Sequence, residues 1–408
     1  MTNGPSRDPA SGGTQDTATG WLNRRLPVIP LFRREYITFP MPRNLNALWS
    51  FGAFLIVTMA LMLCSGLFLA INYTPDITQA FASVETIDRQ VASGWFIRAL
   101  HMGGVTMLFA ALYIHIGRGL WYGSYKAPRE LLWLTGLGLM LMIMVTAFAG
   151  YVLPWGQMSY WGATVIVNAI NAVPLVGHTL SVWLFGGDSL GNVALHRLFV
   201  LHFTMAFAIL GVIGLHVAAL HVAKSNNPSG TDPVHPEQTL PFHPYYTSKD
   251  GFALCLFLMV YAGLIFFCPD LLTLADNYIQ ANPLITPKDI TPEWYFAPFY
   301  AILRAVPSKL GGLGLAAGSL AVLLALPWLD RSPIRPATRR PMARLSLPLA
   351  FLSFAILGFA GMHRPTETWL WLSRIAAAYW FFHFLVVMPL CAQREIPDSA
   401  FEAPEDHP

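Results

Sequence analysis

Apolar and polar positions along this chain alternate in long blocks, not residue by residue. Eight nearly uncharged stretches fall at 46–72, 95–121, 131–152, 197–222, 249–269, 311–329, 345–362 and 371–391. Each is close to the roughly 20 residues that a helix needs to cross a bilayer core. The apolar period is helical and no alternating strand pattern appears, so the spans are predicted as helices and not as a barrel. The expected class is an all-α integral membrane protein: a four-helix bundle of spans one to four, then a C-terminal four-helix part. Connection 153–196 contains "VIVNAINAVPLVGHTLSVWLFGG", apolar but broken by Asn, Pro and Gly. That pattern predicts short helices lying along the surface, not a ninth span. Connection 270–310 is rich in proline and aromatics, and ordered loops of that length are commonly functional.

The first twenty residues, rich in Gly, Ser and Thr, are expected to be disordered, and they lack the apolar core of a cleaved signal peptide. The chain therefore divides into a surface segment 1–32, an N-terminal domain 33–235, a C-terminal domain 236–392 and a tail 393–408.

Composition agrees with the pattern. Hydrophobic residues make up 55% and charged residues 12%, against about a quarter charged in a soluble domain. A soluble core could not hide so much apolar sequence. The distribution of basic residues sets orientation. Arg24, Arg25, Arg33, Arg34 and Arg43 precede the first span; Arg118, Lys126 and Arg129 follow the second; Arg331, Arg335, Arg339, Arg340 and Arg344 follow the sixth. With eight spans all three groups lie on one side, whereas 73–94 carries Asp76, Glu85, Asp88 and only Arg89. Both termini are therefore expected to be cytoplasmic. Cys64, Cys255, Cys268 and Cys391 form neither CxxC nor CxxCH. Covalent c-type haem, a zinc ribbon and a Cys-ligated iron–sulfur cluster are not expected within this chain on that ground, and the four read as small apolar residues.

Chemistry enters with "HMGGVTMLFAALYIH". His101 and His115 are fourteen residues apart in the second span, and His202 and His216 repeat the spacing in the fourth. Fourteen helical residues are about 21 Å of rise and nearly four turns. Each pair thus shares one helix face, near opposite sides of a hydrocarbon layer of roughly 30 Å. Spans two and four run in the same direction, so His101 and His202 share one depth and His115 and His216 another. Two facing imidazoles at each of two depths predict two six-coordinate b haems. No Cys or carboxylate stands beside these histidines to favour zinc. Gly52 and Gly66 in span one, and Gly136 and Gly150 in span three, are also fourteen apart. They are read as clearance for the macrocycles, beyond ordinary helix contact. Arg98 and Arg118, each three residues from a histidine and toward the membrane face, are candidates to pair haem propionates.

With these residues in place, "GYVLPWGQMSYWGATVIVN" at 150–168, "SNNPSG" at 225–230, "PFHPYYTSKD" at 241–250, "TPEWYFAPFYAILR" at 291–304 and "KLGG" at 309–312 carry a further likeness. Over residues 33 to 392 the chain resembles the bacterial type of cytochrome b of bc1 complexes, the ubiquinol–cytochrome c reductases. The resemblance implies an outer low-potential haem on His101 and His202, an inner high-potential haem on His115 and His216, and two quinone sites. The outer, quinol-oxidising site maps onto Tyr151, Pro292, Glu293, Tyr295 and Tyr300. A carboxylate in an apolar loop has a raised pKa and suits Glu293 to accept a quinol proton. The inner, quinone-reducing site maps onto His221, Ser225, Lys249 and Asp250. His221 follows the ligand His216 by five residues and so is not itself a ligand. The resemblance further implies one electron passing inward through the haems and another passing outward, generating a proton motive force. Expected partners are a Rieske iron–sulfur protein, cytochrome c1, a second copy of the complex and membrane lipid, with no nucleic acid. The expected location is the bacterial inner membrane.

Some positions depart from the family's usual pattern. Ala206 stands where a proline is common, and Ser50 follows Trp49 where asparagine is frequent. His178 and His196 are expected to be solvated polar side chains, and His383 a packed one. The competing classes are a b-haem membrane anchor of a dehydrogenase or hydrogenase, and a transporter using membrane histidines as proton relays. Neither requires "PEWY" with eight spans. In the related b6f proteins the region is split into two chains and the fourth-helix ligands lie one residue further apart.

Overall fold

The computed structural model describes residues 18–187 and 189–395. Among them, eight helices are long and apolar enough to cross a membrane: Ala47–Asn72, Gly94–Trp121, Glu130–Val152, Asn192–Ala223, Phe242–Phe267, Lys309–Leu329, Pro341–Met362 and Glu367–Arg394. We refer to them as the first to eighth spans. In lipid the apolar character of a face does not drive association, so close packing at small residues decides which helices pair. The first span lies along the second, and the third along the fourth. The seventh packs against the eighth and against a short helix, Ala297–Arg304, from the connection before the sixth span.

Three helices run at least five residues beyond their apolar stretches. The fourth begins at Asn192, the fifth at Phe242 across the non-helical His243, and the eighth covers Glu367–Arg394 through a π-helical turn at His383–Val387. The apolar pattern follows the lipid layer, whereas the helix continues into polar residues such as Asn192, His196 and Arg197. Connection 153–196 folds into Gln157–Asn171 and Gly177–Phe185, as its broken apolar pattern predicts. Between the first two spans an amphipathic helix, Ala80–Gln90, buries Ala80, Val84 and Ile87. The expected disorder of the first residues falls mainly on 1–17, outside the described residues, and most of the tail 393–408 also lies outside them. Residues 18–32 contain the helices Ala18–Arg25 and Val28–Phe32.

Two short antiparallel strands, Pro40–Pro42 and Thr239–Pro241, pair Pro40 with Pro241. They bind the segment before the first span to the approach of the fifth. At the other end, a bridge between Gly156 and Gln280 joins the two long connections.

A buried ionic cluster fastens the two halves of the chain. Arg340 donates to Asp330 through both terminal nitrogens, at 2.7 and 2.8 Å, and through Nε to Glu395 at 2.7 Å. Tyr125 donates its hydroxyl to Asp330. Lys126 stands 3.0 Å from the same carboxylate and donates to the Ser332 and Ile334 carbonyls. The Asp330 and Arg340 side chains are 0% and 1% exposed. Burial pushes the Asp330 carboxyl up most strongly, but the hydrogen bonds and charge of Arg340, with the Lys126 charge and the Tyr125 hydrogen bond, together hold the group below its ordinary value. Its contribution to stability is therefore complete above the ordinary carboxylate range and is lost as pH falls below it. Asp330→Asn would leave two buried cations short of an anion and should cost about 3–5 kcal/mol. A thermal melt of the detergent-solubilised protein, compared with the parent, measures it.

Candidate functional site

Helix pairing brings the four histidines to the bundle interior at two levels. The His101 and His202 rings stand 6.1 Å apart between centroids, crossed at 73°. Two metal–nitrogen bonds of about 2 Å, with half an imidazole at each end, fill that separation. His115 and His216 line a second cavity together.

Each imidazole lies against a glycine of the helix paired with its own. A methyl at Gly150 would stand 2.5 Å from His202 Cε1, and one at Gly66 would stand 2.9 Å from His101 Cε1. The corresponding distances are 3.0 Å for Gly136 and His216, and 3.5 Å for Gly52 and His115. The space left by the missing side chains is therefore taken first by the edges of the imidazoles.

Neighbouring oxygens then fix which nitrogen three of the rings present. Ser65 donates to the Leu61 carbonyl at 2.8 Å, so its oxygen accepts from His101 Nδ1 at 3.0 Å. Thr135 donates to Leu131 at 2.9 Å and accepts from His216 Nδ1 at 3.0 Å. The Thr146 carbonyl accepts from His202 Nδ1 at 2.8 Å. With the proton on Nδ1, each of these rings offers the Nε2 lone pair, as a metal ligand must. His115 differs: its Nδ1 is buried without a partner. The sequence signal for two of these acceptors is the hydroxyl residue just before a ring-facing glycine, Ser65–Gly66 and Thr135–Gly136. Gly52 follows Phe51 instead.

Among the described residues no three His, Cys, Asp or Glu side chains converge as a bare metal site. A metal held by these imidazole pairs would take its other ligands from a macrocycle. The inner cavity also contains donors suited to anionic substituents: Arg118 Nε and Trp49 Nε1 are buried without partners, as is Arg129 Nη1. Arg118 lies 4.8 Å over the Trp49 ring. Arg98 lines the outer cavity, but its guanidinium is already paired with Asp88. The residues present thus fit an imidazole-ligated haem at each level.

The outer cavity joins His101 and His202 to Tyr151, Glu293 and Tyr295. The Tyr151 hydroxyl accepts from Asn277 at 3.0 Å. The Tyr295 ring stacks on Phe109 at 4.3 Å, and its carbonyl accepts from the Tyr113 hydroxyl. Glu293 precedes the turn that opens helix Ala297–Arg304, and burial raises its carboxyl to about 7. Pro292 and Tyr300 flank this group without lining the cavity; Tyr300 donates its hydroxyl to the Ile290 carbonyl at 3.3 Å.

The inner cavity gathers His115, His216, His221, Ser225, Lys249 and Asp250. Ser50 donates to Asp250 at 2.7 Å, so the departure at position 50 still supplies a polar partner. Lys249 donates to the Leu45 carbonyl, and buried Ser225 lies against Met41. Sequence reasoning did not find Glu35, which lines this cavity from the N-terminal segment. His178 and His196 line neither cavity. His383 is fully buried, with both ring nitrogens unpartnered. Ala206 lines the outer cavity within an unbroken fourth helix.

Comparison with known proteins follows the same outline. Residues 36–224 match the family model described as cytochrome b/b6/petB, and residues 280–381 match cytochrome b (C-terminal)/b6/petD. A cytochrome b of Rickettsia bellii (strain RML369-C) is 49% identical over 389 residues, 95% of this chain and 97% of that one. A cytochrome b of Rhodospirillum rubrum is 48% identical over 380 residues, 93% of this chain and 94% of its own. A solved chain of a hyperthermophilic respiratory complex III superposes with a TM-score of 0.87 at 33% identity, covering 92% of this chain and 98% of the other. The chain, a multi-pass membrane protein, belongs to the cytochrome b family, which is named for its b-type haem.

Proposed function

We propose that this chain is the di-haem, quinone-handling core subunit of a bc1 complex. It would oxidise ubiquinol at the outer cavity, send one electron inward and reduce quinone at the inner cavity, so building a proton motive force. The observation that carries the reading is the doubled arrangement: each imidazole pair shares its cavity with an acidic group, Glu293 at one level and Asp250 at the other. A haem anchor or a proton-relay transporter has no need of both.

Bound at His101 with His202 and at His115 with His216, two b haems would supply one-electron carriers at two depths. Arg98 is positioned near the first, and Arg118 near the second. The chain's own residues manage protons. Glu293, with its carboxyl near neutrality, accepts a proton from quinol, while Tyr151 and Tyr295 enclose the ring. Pro292 and Tyr300 hold the loop that carries Glu293. At the inner cavity His221 and Asp250 hand protons to quinone, with Lys249 and Ser225 beside them. The other quinol electron needs a high-potential acceptor, and the four free cysteines are scattered. That supports a Rieske iron–sulfur protein and cytochrome c1 as partner chains, in line with the likeness to a complex III subunit. A homodimeric complex in the bacterial inner membrane, with both termini cytoplasmic, completes the proposal.

Replacing His115 or His202 with leucine should remove about half of the haem b absorbance, measured against protein by the pyridine haemochrome; full absorbance would refute the ligand assignment. Gly150→Ala should weaken the outer haem more than Gly52→Ala weakens the inner, because the added methyl meets His202 at 2.5 Å but His115 at 3.5 Å. Optical redox titration of both variants reads the difference. Quinol-dependent cytochrome c reduction should rise with pH through about 7 as Glu293 ionises. Glu293→Gln should flatten that limb and slow turnover by about 10²–10⁴-fold.

A further inference from the structure

The segment before the first span takes no part in the proton and electron transfers proposed so far, yet it reaches the inner cavity. Its π-helical turn Arg33–Ile37 folds back so that Glu35, Tyr36 and Phe39 line that cavity with His221, Lys249 and Asp250. Glu35 Oε2 lies 2.7 Å from His221 Nδ1, and Arg34 Nε lies 2.5 Å from the other carboxylate oxygen. The Phe39 ring stacks on the imidazole at 4.6 Å. The strand pair beginning at Pro40 fixes the segment in place. The Arg34 hydrogen bond first, and that of His221 second, hold the Glu35 carboxyl below its usual value, so it stands as an anion.

We propose that Glu35 is a positioning residue for quinone reduction at the inner site. Its carboxylate accepts the Nδ1–H of His221, so every proton that His221 exchanges with a quinone oxygen moves at Nε2. The inference rests on the reading of this cavity as the quinone-reducing site. In the step, quinone takes up two electrons, one from each of two quinols oxidised at the outer site. One quinone oxygen takes the Nε2 proton of the doubly protonated His221 ring, which is left neutral with its Nδ1–H on Glu35. The other oxygen takes the proton of the Asp250 carboxylic acid, and the product is quinol; both groups are then reprotonated from the aqueous phase. Other charged or titratable groups face the same space. They are Tyr36 from the N-terminal segment, His115 and Arg118 from the second span, Arg129 ahead of the third, His216 on the histidine's own helix, and Tyr246, Lys249 and Asp250 from the fifth. Of the carboxyl groups, Asp250 is engaged by Ser50, and Glu35 is the one in contact with His221.

The test uses the purified complex and the rate at which short-tailed ubiquinone re-oxidises reduced haem b, with the optical spectrum of each variant as an assembly check. Glu35→Ala should slow re-oxidation about tenfold or more with an unchanged spectrum. Glu35→Gln, which keeps an acceptor oxygen, should recover most of the rate. Arg34→Gln should behave as the parent, because a glutamate returned to its ordinary value is still an anion near neutral pH and keeps its contact with His221. His221→Asn should be slower than any of them. Parent-like Glu35→Ala beside a slow His221→Asn overturns the proposal for Glu35 alone. A parent-like His221→Asn overturns the reading of the cavity instead. Equal slowing by Arg34→Gln and Glu35→Ala would make the segment a mechanical anchor and also overturn the proposal. Should Glu35→Ala lose haem, Glu35→Met, of similar length and unable to accept, takes its place; loss of haem from both would likewise count against positioning.

Discussion

The structure depends on one constraint: two neutral imidazoles must meet at one depth in an apolar bundle, each with its Nε2 lone pair turned inward. The first four spans all bear on it. Glycines on the first and third spans admit the rings of the second and fourth. Ser65, Thr135 and the Thr146 carbonyl hold three Nδ1 protons. An imidazole without such a partner would be free to rotate or to exchange tautomers, and either change would turn the lone pair away from a metal held between the rings. His115 lacks that restraint. At the same cavity lie unpartnered donors of Arg118, Arg129 and Trp49, which on the proposed function suit an anionic substituent of the inner ligand.

The two cavities differ in how they keep acidic groups. At the outer cavity Glu293 sits in a loop without an ion pair among the described contacts, and burial alone raises its carboxyl toward neutrality. Such a group can change charge in ordinary conditions. At the inner cavity the polar side chains are tethered: Asp250 by Ser50, Lys249 by the Leu45 carbonyl and His221 by Glu35. On the proposed function, a group that takes up a proton suits the first arrangement, and groups that hand protons on from set positions suit the second.

Much of the fold and of the site is legible in the sequence because lipid imposes lengths. Spanning length defines the eight helices, and the fourteen-residue spacing alone assigns His101, His115, His202 and His216 to their depths. Where the sequence is silent, the contact is made by residues far apart in the chain and ordinary in type. Glu35 meets His221 across 186 positions. Tyr125 meets Asp330 across 205 positions. Helix Ala80–Gln90 escapes the apolar pattern because only three of its residues are buried and its apolar content is too low to stand out. The start of the fifth helix escapes it because the His243 break lies where polar residues hide the helix on its N-terminal side.

The glycine spacing carries a more general argument. In membrane helices glycine is common wherever two backbones approach, so a single glycine distinguishes nothing. Here the glycine and histidine spacings are equal because the paired helices run side by side with the same rise per residue. A ring on one helix therefore faces a gap on its partner at both levels only if both spacings match. Changing either by one residue would rotate one ring about 100° from its gap. The match between the two periods is a condition on the pair of helices, and satisfying it twice, on independent helix pairs, is what makes one bundle able to hold two identical ligand sets.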